Sequence, residues 1–277
     1  MFYTYGMKVG AELMARGQVT PALRHLIIPI SYWRSAEFAL VYDAADFRPT
    51  DRVLDIGSPK LLSLYLAKKL GADVYSTDID GYFLKEYTLL RNLEHLSSDK
   101  FHVEVEDGRK LSYADSFFDK VFAVSVVEHI PENGDAECMR EVARVLRPGG
   151  RCMLTVPFSP ESRNEYRQEG EFYWAQSSTT GEDGRVFFQR RYSEQDLHDR
   201  LITPSGLTVR NLLYVGEKGL EHSDRELFEH LPAITHPMLG PVQALMAKAF
   251  LTPPTADWRS LRKPRCALVC LERPAES

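Results

Sequence analysis

The sequence has no long apolar run, no internal repeat and no strong excess of charge, and each absence excludes a class of protein. No stretch is long enough to cross a bilayer, and the N-terminal MFYTYGMKVG lacks the basic segment and apolar core of a signal peptide. A net charge of −5 leaves no basic face for neutralising nucleic-acid phosphates. We therefore expect a cytoplasmic protein without stable membrane insertion and without a nucleic-acid partner.

Cysteine is scarce as well, with four residues in 277 and none in C-x-x-C spacing. This usage favours reduced thiols in the core of a cytosolic protein over disulfides or a zinc site, so we expect no bound metal. A hydrophobic content of 44% and a charged content of 26% are ordinary for a globular chain with a sizeable core.

The stretch Val53–Gly71, VLDIGSPKLLSLYLAKKLG, organises the rest of the chain. A short apolar run, suited to a buried strand, ends at Gly57. Ser58 is a good helix N-cap and Pro59 a good first helical residue, because proline lacks only an N–H that would be unpaired there. Leucines at helical spacing follow, and Gly71 is a suitable C-cap. This strand, glycine turn and helix form the opening unit of a doubly wound nucleotide-binding sheet.

An acidic residue, Asp78, ends the next apolar strand about 20 positions after Gly57, where it can accept hydrogen bonds from both ribose hydroxyls. Dinucleotides and S-adenosylmethionine are both bound in this geometry. The turn reads GSPKLL, without the later glycines of G-x-G-x-x-G, and Pro59 removes an amide from the cradle. A pyrophosphate is therefore disfavoured, and a ligand without phosphates is affected less.

Strands and helices alternate from Asp51 to Pro157, with strands predicted at 52–56, 73–77, 101–105, 119–124 and 150–156 and helices at 59–70, 81–95 and 134–146. This alternation predicts an α/β fold with a doubly wound, mostly parallel sheet. Ligands of such sheets lie beyond the carboxyl ends of the strands. The candidate positions are therefore Gly57, Asp78, Asp107–Gly108, Ser125–His129 and Pro157.

Three segments lie outside this alternation. Residues 1–50 read as an aromatic helical cap, which either packs over a sheet edge or adds aromatic walls to a substrate pocket, and residues 51–277 form the main domain. The insertion 159–192 contains RVFFQRR, a candidate hairpin arm, and either shapes the acceptor pocket or covers the sheet edge. The segment 221–260 is a helical appendage, either a helix covering the fold or a hydrophobic lid for a lipid-like acceptor.

Four motifs carry a family resemblance: VLDIGSP, STDID, EDGRKLSYADSFFDKVFAVSVVEHI and RVLRPGGRCMLTVPF. In this order and spacing, over Arg52–Phe158, the chain resembles the class I S-adenosylmethionine-dependent methyltransferases. The resemblance implies a Rossmann-like seven-stranded sheet with N-terminal helices, an insertion after the fifth strand and an antiparallel last strand, Arg265–Glu272. It also implies S-adenosylmethionine as cofactor and in-line methyl transfer to a small molecule or biosynthetic intermediate.

The resemblance further implies roles for individual residues on the cofactor. A carboxylate beside the fixed positive charge of the sulfonium is favourable. The family's glycine-rich turn is altered here, so Ser58 becomes a candidate donor for the cofactor's amino-acid end. The implied cofactor contacts are Asp55, Gly57 and Ser125 at the methionine part, Asp78 with Ile79 at the ribose, and Asp107 with Gly108 at the adenine.

His129 and Glu128 are the candidate catalytic residues at the mouth of the pocket. The pKa of a histidine lies near neutrality, so His129 has the chemistry to take a proton from a hydroxyl acceptor. It equally suits a loop histidine that orders the turn before Pro131. Glu128 is either a helix cap or an acid in the pocket.

Two other functions remain open from the sequence. The altered Ser58-Pro59 turn suits a non-catalytic methyltransferase homologue that serves as a cofactor-binding or partner subunit. A nicotinamide-dependent oxidoreductase is the third hypothesis, and the missing G-x-G-x-x-G counts against it.

Overall fold

A computed structural model describes residues 1–57, 60–168, 184–219 and 236–275 of the chain. The strands in this part are β1 (Arg52–Ile56), β2 (Asp73–Asp78), β3 (Phe101–Val105), β4 (Phe118–Val124), β5 (Leu146–Pro157), β6 (Arg163–Arg167), β7 (Val186–Arg191), β8 (Thr208–Gly216) and β9 (Pro264–Glu272). Seven form one sheet in the order β3-β2-β1-β4-β5-β9-β8, and β6 and β7 form a separate hairpin.

The sheet is parallel from β1 to β5, while β9 runs antiparallel to both β5 and β8. The predicted α/β class, with a doubly wound and mostly parallel seven-stranded sheet, is therefore confirmed. Pairing of β6 with β7 makes residues 186–191 the arm of a hairpin, whose GEDG turn lies outside the described residues except for Gly184.

Helices cover both faces of this sheet. They are α1 (Phe2–Ala15), α2 (Val19–Ile27), α3 (Tyr32–Ala45), α4 (Lys60–Tyr65), α5 (Leu84–Leu93), α6 (Gly134–Val145), α7 (Glu194–Asp196), α8 (Thr203–Ser205), α9 (His236–Leu239) and α10 (Gln243–Phe250). A π-helical turn, Leu66–Leu70, continues α4 and ends at Gly71, whose φ of 84° is the left-handed C-cap expected there.

Alternate residues of each strand face opposite helical layers, because successive side chains of a strand point to opposite sides. Val53 and Val74 belong to the core beneath α1, α3, α4 and α5. Leu54 and Val121 belong to the core on the other face, beneath α6 and the helical turns after β7. Helices on both faces bury the central strands completely and hold their carboxyl ends in fixed positions.

The order of strands reverses at β1, with β2 and β3 on one side and β4 and β5 on the other. A crevice opens at such a reversal, outside the carboxyl ends of the strands. Gly57 follows β1 and Ser125 follows β4, so both lie at this crevice.

The boundaries of several elements differ from the predicted ones. The helix predicted at 81–95 is shorter, because residues 81–83 form a 3₁₀ turn and α5 begins at Leu84. The fifth strand begins at Leu146 instead of Gly150, because the Pro148-Gly149-Gly150 segment is a bulge inside β5 opposite β4. A Cβ on Gly150 would lie 2.9 Å from the carbonyl oxygen of Asp119, so glycine is needed for this close approach.

The described part of the helical appendage packs on the N-terminal cap. Gln243 of α10 accepts a hydrogen bond from the backbone N–H of Tyr32 at the start of α3, at 2.8 Å. Leu245 remains 68% exposed, so α10 is a half-buried helix on the outside of the cap. Residues 220–235 of the appendage lie outside the described residues.

Candidate active site

A cavity of about 660 Å³ occupies the crevice between the carboxyl ends of the parallel strands and the helices α2 and α3. Six predicted cofactor residues and one predicted catalytic residue line it: Gly57, Asp78, Ile79, Asp107, Gly108, Ser125 and His129. The cap adds Ile28, Pro29, Ile30, Arg34 and Phe38, and the hairpin adds Phe187. Sequence positions separated by more than 150 residues thus form one concave wall.

The turn after β1 lies at the cavity and packs closely on Val126, which requires a residue without a side chain at Gly57. Its φ is 58°, a left-handed conformation that favours glycine. A Cβ at this position would lie 2.8 Å from Cγ1 of Val126, across the crevice. The two residues that follow, Ser58 and Pro59, lie outside the described residues, so the candidate donor Ser58 has no described position.

Asp55 lies behind the cavity wall. Its side chain is completely buried, and its Oδ2 accepts hydrogen bonds from the hydroxyls of Ser63 on α4 and, at 3.1 Å, Ser76 on β2. The carboxylate therefore braces α4 against the sheet. The resemblance implies a position beside the cofactor, whereas these contacts direct the side chain away from the cavity.

Two carboxylates mark the cavity on the β2–β3 side. Oδ1 of Asp78 accepts a hydrogen bond from the backbone N–H of Asp80 at 3.0 Å, which orients the carboxylate at the end of β2. Asp107 accepts from Arg109, with Nε 3.0 Å from Oδ1 and Nη2 2.7 Å from Oδ2. These hydrogen bonds lower the pKa of Asp107, so its carboxylate stays ionised. Arg109 is a cavity residue that the sequence patterns did not single out.

Ser125 is held at the end of β4 by a residue of the N-terminal cap. Its hydroxyl donates to Oε1 of Glu37, on α3, at 2.5 Å, and the hydroxyl of Thr155 on β5 donates to the same oxygen at 3.1 Å. Glu37 is 3% exposed, and its other carboxylate oxygen pairs with Arg34. Ser125 itself has a φ of 52°, a strained conformation that clusters at functional sites.

His129 presents an imidazole to the cavity in a defined tautomer. Its Nδ1 lies 2.7 Å from the carbonyl oxygen of Phe188. A carbonyl only accepts, so Nδ1 carries the proton and the lone pair lies on Nε2. Burial is the main cause that lowers the pKa of His129 to about 4, so the ring is neutral at physiological pH.

Glu128 lies under this surface and does not line the cavity. Its side chain is completely buried, and Oε1 is 3.8 Å from Nε2 of His129, beyond hydrogen-bond distance. Burial raises the pKa of Glu128 to about 8, and the nearby charge of Glu37 adds to the effect. The group is therefore protonated at neutral pH and is not an ionised acid in the pocket.

The hairpin closes one side of the cavity and is fixed to α6. Asp135 of α6 is completely buried and accepts hydrogen bonds from Arg190 at 2.7 Å, Tyr192 at 2.9 Å and Arg200 at 2.8 Å. This network holds β7 so that Phe187 reaches the wall and the carbonyl of Phe188 reaches His129. By contrast, the described residues of α9 and α10 do not line the cavity.

Sequence reasoning overlooked Arg34 and Glu37, although it expected aromatic walls from the same cap. Phe38 does line the cavity, while Tyr5 and Tyr42 pack with Tyr65 in the core. An arginine and a glutamate three positions apart on a helix usually form a solvated surface pair. Only the alternation of apolar residues around Glu37, in SAEFALV, hinted that this face is buried.

Within residues 1–57, 60–168, 184–219 and 236–275, no group of three or more His, Cys, Asp or Glu side chains is placed to hold a metal ion. Among the same residues no helix combines the length and apolarity needed to span a membrane.

The comparison with protein families identifies residues 54–154 as a methyltransferase domain. This range includes β1 through most of β5, and hence every predicted cofactor position. Over these residues the match supports the resemblance of the motifs to the class I S-adenosylmethionine-dependent methyltransferases.

Curated relatives match less than half of the chain. The chain is 34% identical over 115 residues to methyltransferase GfsG of Streptomyces halstedii, which covers 41% of this chain and 40% of the relative. It is 33% identical over 124 residues to glycine/sarcosine/dimethylglycine N-methyltransferase of Actinopolyspora halophila, covering 42% of this chain and 20% of that protein. The chain thus spans less than half the length of either relative.

A solved structure extends the likeness to the whole fold. The [4+2]-cyclase SpnF superposes with a TM-score of 0.56 over 89% of this chain and 84% of its own, at 16% sequence identity. At this identity the likeness concerns the fold alone.

Proposed function

We propose that the chain is a methyltransferase that transfers the methyl group of S-adenosylmethionine to a hydroxyl of a small, largely apolar molecule. One observation carries the proposal. A single cavity contains carboxylates suited to an adenosine on the β2–β3 side and the neutral imidazole of His129 after β4. Both lie beyond the carboxyl ends of the strands, on opposite sides of β1.

The residues of the cavity fit the cofactor. Asp78 is suited to the ribose hydroxyls and the ionised Asp107 to the adenine amine, since both carboxylates accept hydrogen bonds at the edge of the cavity. Gly57, which has no side chain and lies at the edge of the cavity, lets the amino-acid end approach the backbone of the turn. When bound, S-adenosylmethionine supplies an electrophilic methyl group on a positively charged sulfur.

The chemistry of the remaining wall points to the acceptor. Residues from the cap, the hairpin and the turn after β4 make this part largely apolar: Ile28, Pro29, Ile30, Phe38, Ile130 and Phe187. An apolar wall with a few polar groups is typical of a site for a small organic molecule. Arg34 and Arg109 also line the cavity, and each is paired with a carboxylate, Glu37 and Asp107 respectively.

His129 is suited to hold the acceptor and receive its proton. With Nδ1 donating to Phe188, Nε2 is the hydrogen-bond acceptor for a substrate hydroxyl. A base whose pKa is lowered to about 4 is weak toward a free alcohol. An oxygen that is forming a bond to a methyl group becomes far more acidic, so a weak base suffices at that moment. The apolar residues beside His129 would disfavour water around the acceptor and limit its orientations.

Calorimetric titration with S-adenosylmethionine and S-adenosylhomocysteine, with NAD as a control, tests the cofactor. Turnover is then compared on three molecules with one apolar skeleton: an alcohol, the corresponding amine and the methyl ether. Methylation of the alcohol alone is the expected result. Methylation of the amine alone would contradict the acceptor, and absence of binding would favour the non-catalytic homologue.

A further inference from the structure

We infer that Arg34 of the N-terminal cap binds the α-carboxylate of the cofactor's methionine end, with Glu37 as the residue that positions it. This inference rests on the proposed function, because it concerns the same cofactor. It assigns to a helix outside the methyltransferase domain of residues 54–154 a direct part in cofactor binding.

The first support is the position of the Arg34–Glu37 pair along the sheet. Glu37 is fixed to the end of β4 through Ser125 and to β5 through Thr155. The carboxylates suited to adenosine lie at the ends of β2 and β3, on the other side of β1. A cofactor with its adenosine at β2–β3 therefore extends its amino-acid end toward β4, where α3 covers the cavity.

The second support is the exposure and the hydrogen bonding of the Arg34 side chain. Arg34 lines the cavity, and its side chain is 29% exposed although α3 is packed on the sheet. The contact with Glu37 uses Nη1, one of several nitrogen donors in the guanidinium group. The planar guanidinium group holds its N–H donors in a fixed arrangement that suits a carboxylate, and the contact with the buried Glu37 fixes its position.

The third support is the turn after β1. A turn rich in glycines offers backbone N–H groups to an anion, but Pro59 has no N–H and its neighbours carry side chains. A ligand carboxylate at this end of the cavity therefore has one backbone donor fewer than in a glycine-rich turn, and a cation from another part of the chain compensates for it. Arg34 supplies that cation.

The test compares two ligands that share an adenosine and differ in the amino-acid end. S-adenosylhomocysteine carries the carboxylate, and 5′-deoxy-5′-methylthioadenosine does not. For Arg34→Met we expect binding of S-adenosylhomocysteine to weaken about 10- to 100-fold, the range for a charged hydrogen bond. Binding of methylthioadenosine should change less than about twofold, which also shows that the variant is folded.

Two further variants make the result specific. Arg34→Met/Glu37→Gln leaves no unpaired buried carboxylate, and we expect the same selective loss. If S-adenosylhomocysteine binding recovers in this double variant, the weaker binding of Arg34→Met arises from repulsion between the Glu37 carboxylate and the ligand carboxylate. That outcome would overturn the inference. Arg48→Met removes an exposed arginine just after α3, with a side chain that is 69% exposed, and should leave both affinities unchanged.

The remaining outcomes separate the inference from the proposed function. Unchanged binding of both ligands to Arg34→Met, or equal weakening of both, would overturn the role of Arg34 while the proposed function stands. If Arg34→Met binds the cofactor normally but the acceptor more weakly, Arg34 contacts the acceptor instead, and the inference is overturned. A wild-type chain that binds neither ligand would refute the proposed function, and the inference with it.

Discussion

The hydroxyl of Ser125 donates a hydrogen bond of 2.5 Å to Glu37, a residue 88 positions earlier in the chain. One partner ends the fourth strand of the sheet, and the other lies in the cap, nearly buried at 3% exposure. The contact joins the methyltransferase domain to a helix that precedes it.

The first prediction concerns this contact. Glu37→Leu should lower the free energy of unfolding by about 3–5 kcal/mol, because it leaves Arg34 and the two hydroxyls without their buried partner. Glu37→Gln, which keeps the shape and one acceptor, should cost less. Urea denaturation measures both, with Glu12→Gln on α1 as the control for an exposed ion pair, expected to change stability by less than about 1 kcal/mol. Equal costs for Glu37→Leu and Glu12→Gln would mean that the cap contact contributes nothing to stability.

The second prediction compares two glycines in left-handed conformations. Gly71→Ala adds a Cβ in open space, so only the backbone strain of about 1–2 kcal/mol is expected. Gly57→Ala adds a Cβ 2.8 Å from Val126, and overpacking should add about 1–3 kcal/mol to that strain. Only Gly57→Ala should also weaken S-adenosylhomocysteine binding in calorimetry. A cofactor affinity unaffected by Gly57→Ala would show that the ligand lies away from this turn.

The third prediction concerns the ribose. Asp78→Ala should weaken cofactor binding by about 1.5–3 kcal/mol, because a charged acceptor of hydrogen bonds is lost from the edge of the cavity. Asp78→Asn, which keeps one oxygen acceptor, should lose less. Titration with S-adenosylhomocysteine measures the difference, and an unchanged affinity in Asp78→Ala would refute the assignment.

The fourth prediction separates acceptor chemistry from cofactor binding. His129→Ala should slow turnover about 10²- to 10⁴-fold, the range for a general base, with little effect on cofactor affinity. Because burial lowers the pKa of His129 to about 4, the rate should stay flat from pH 6 to 8 and fall only as the pH approaches 4. His95→Ala, at an exposed position, is the control. Wild-type turnover in His129→Ala would show that His129 only orders its loop and takes no part in catalysis.

The fifth prediction uses the buried Glu128. Its pKa is raised to about 8 in the folded chain, so folding gains from the protonated carboxyl below the ordinary pKa near 4.5. This contribution is lost as the pH rises from about 4.5 to about 8. Glu128→Gln never ionises, so its stability relative to wild type should increase by on the order of 3 kcal/mol between pH 5 and pH 8.5. Urea denaturation at both pH values measures this, and the exposed Glu137→Gln should show no such trend. Parallel curves for Glu128→Gln and wild type would show that Glu128 is ionised in the fold.

The fold was predictable from local patterns, and the wall of the cavity was predictable only in part. The apolar runs that end at Gly57 and Asp78 predict strands, because a short apolar run followed by a turn residue can be recognised from neighbouring residues alone. The bulge at Pro148–Gly150 was not visible, since it depends on how closely β5 approaches β4. Arg34 was overlooked for the same kind of reason, because its partners at the cavity come from strands far along the chain. Asp55 occupies the motif position, yet its direction is set by the hydroxyls of Ser63 and Ser76.

The division of the cavity wall between two parts of the chain has a consequence for how such a protein diversifies. Asp78 and Asp107 belong to the region that matches the methyltransferase domain, whereas Phe38 belongs to α3 and Ile30 to the segment between the cap helices α2 and α3. Exchange of those helices between homologues would alter the shape presented to an acceptor while the adenosine contacts stay in place. Because the same helices carry Arg34, the apolar wall and the proposed contact to the methionine end are then inherited together, and the adenosine contacts separately.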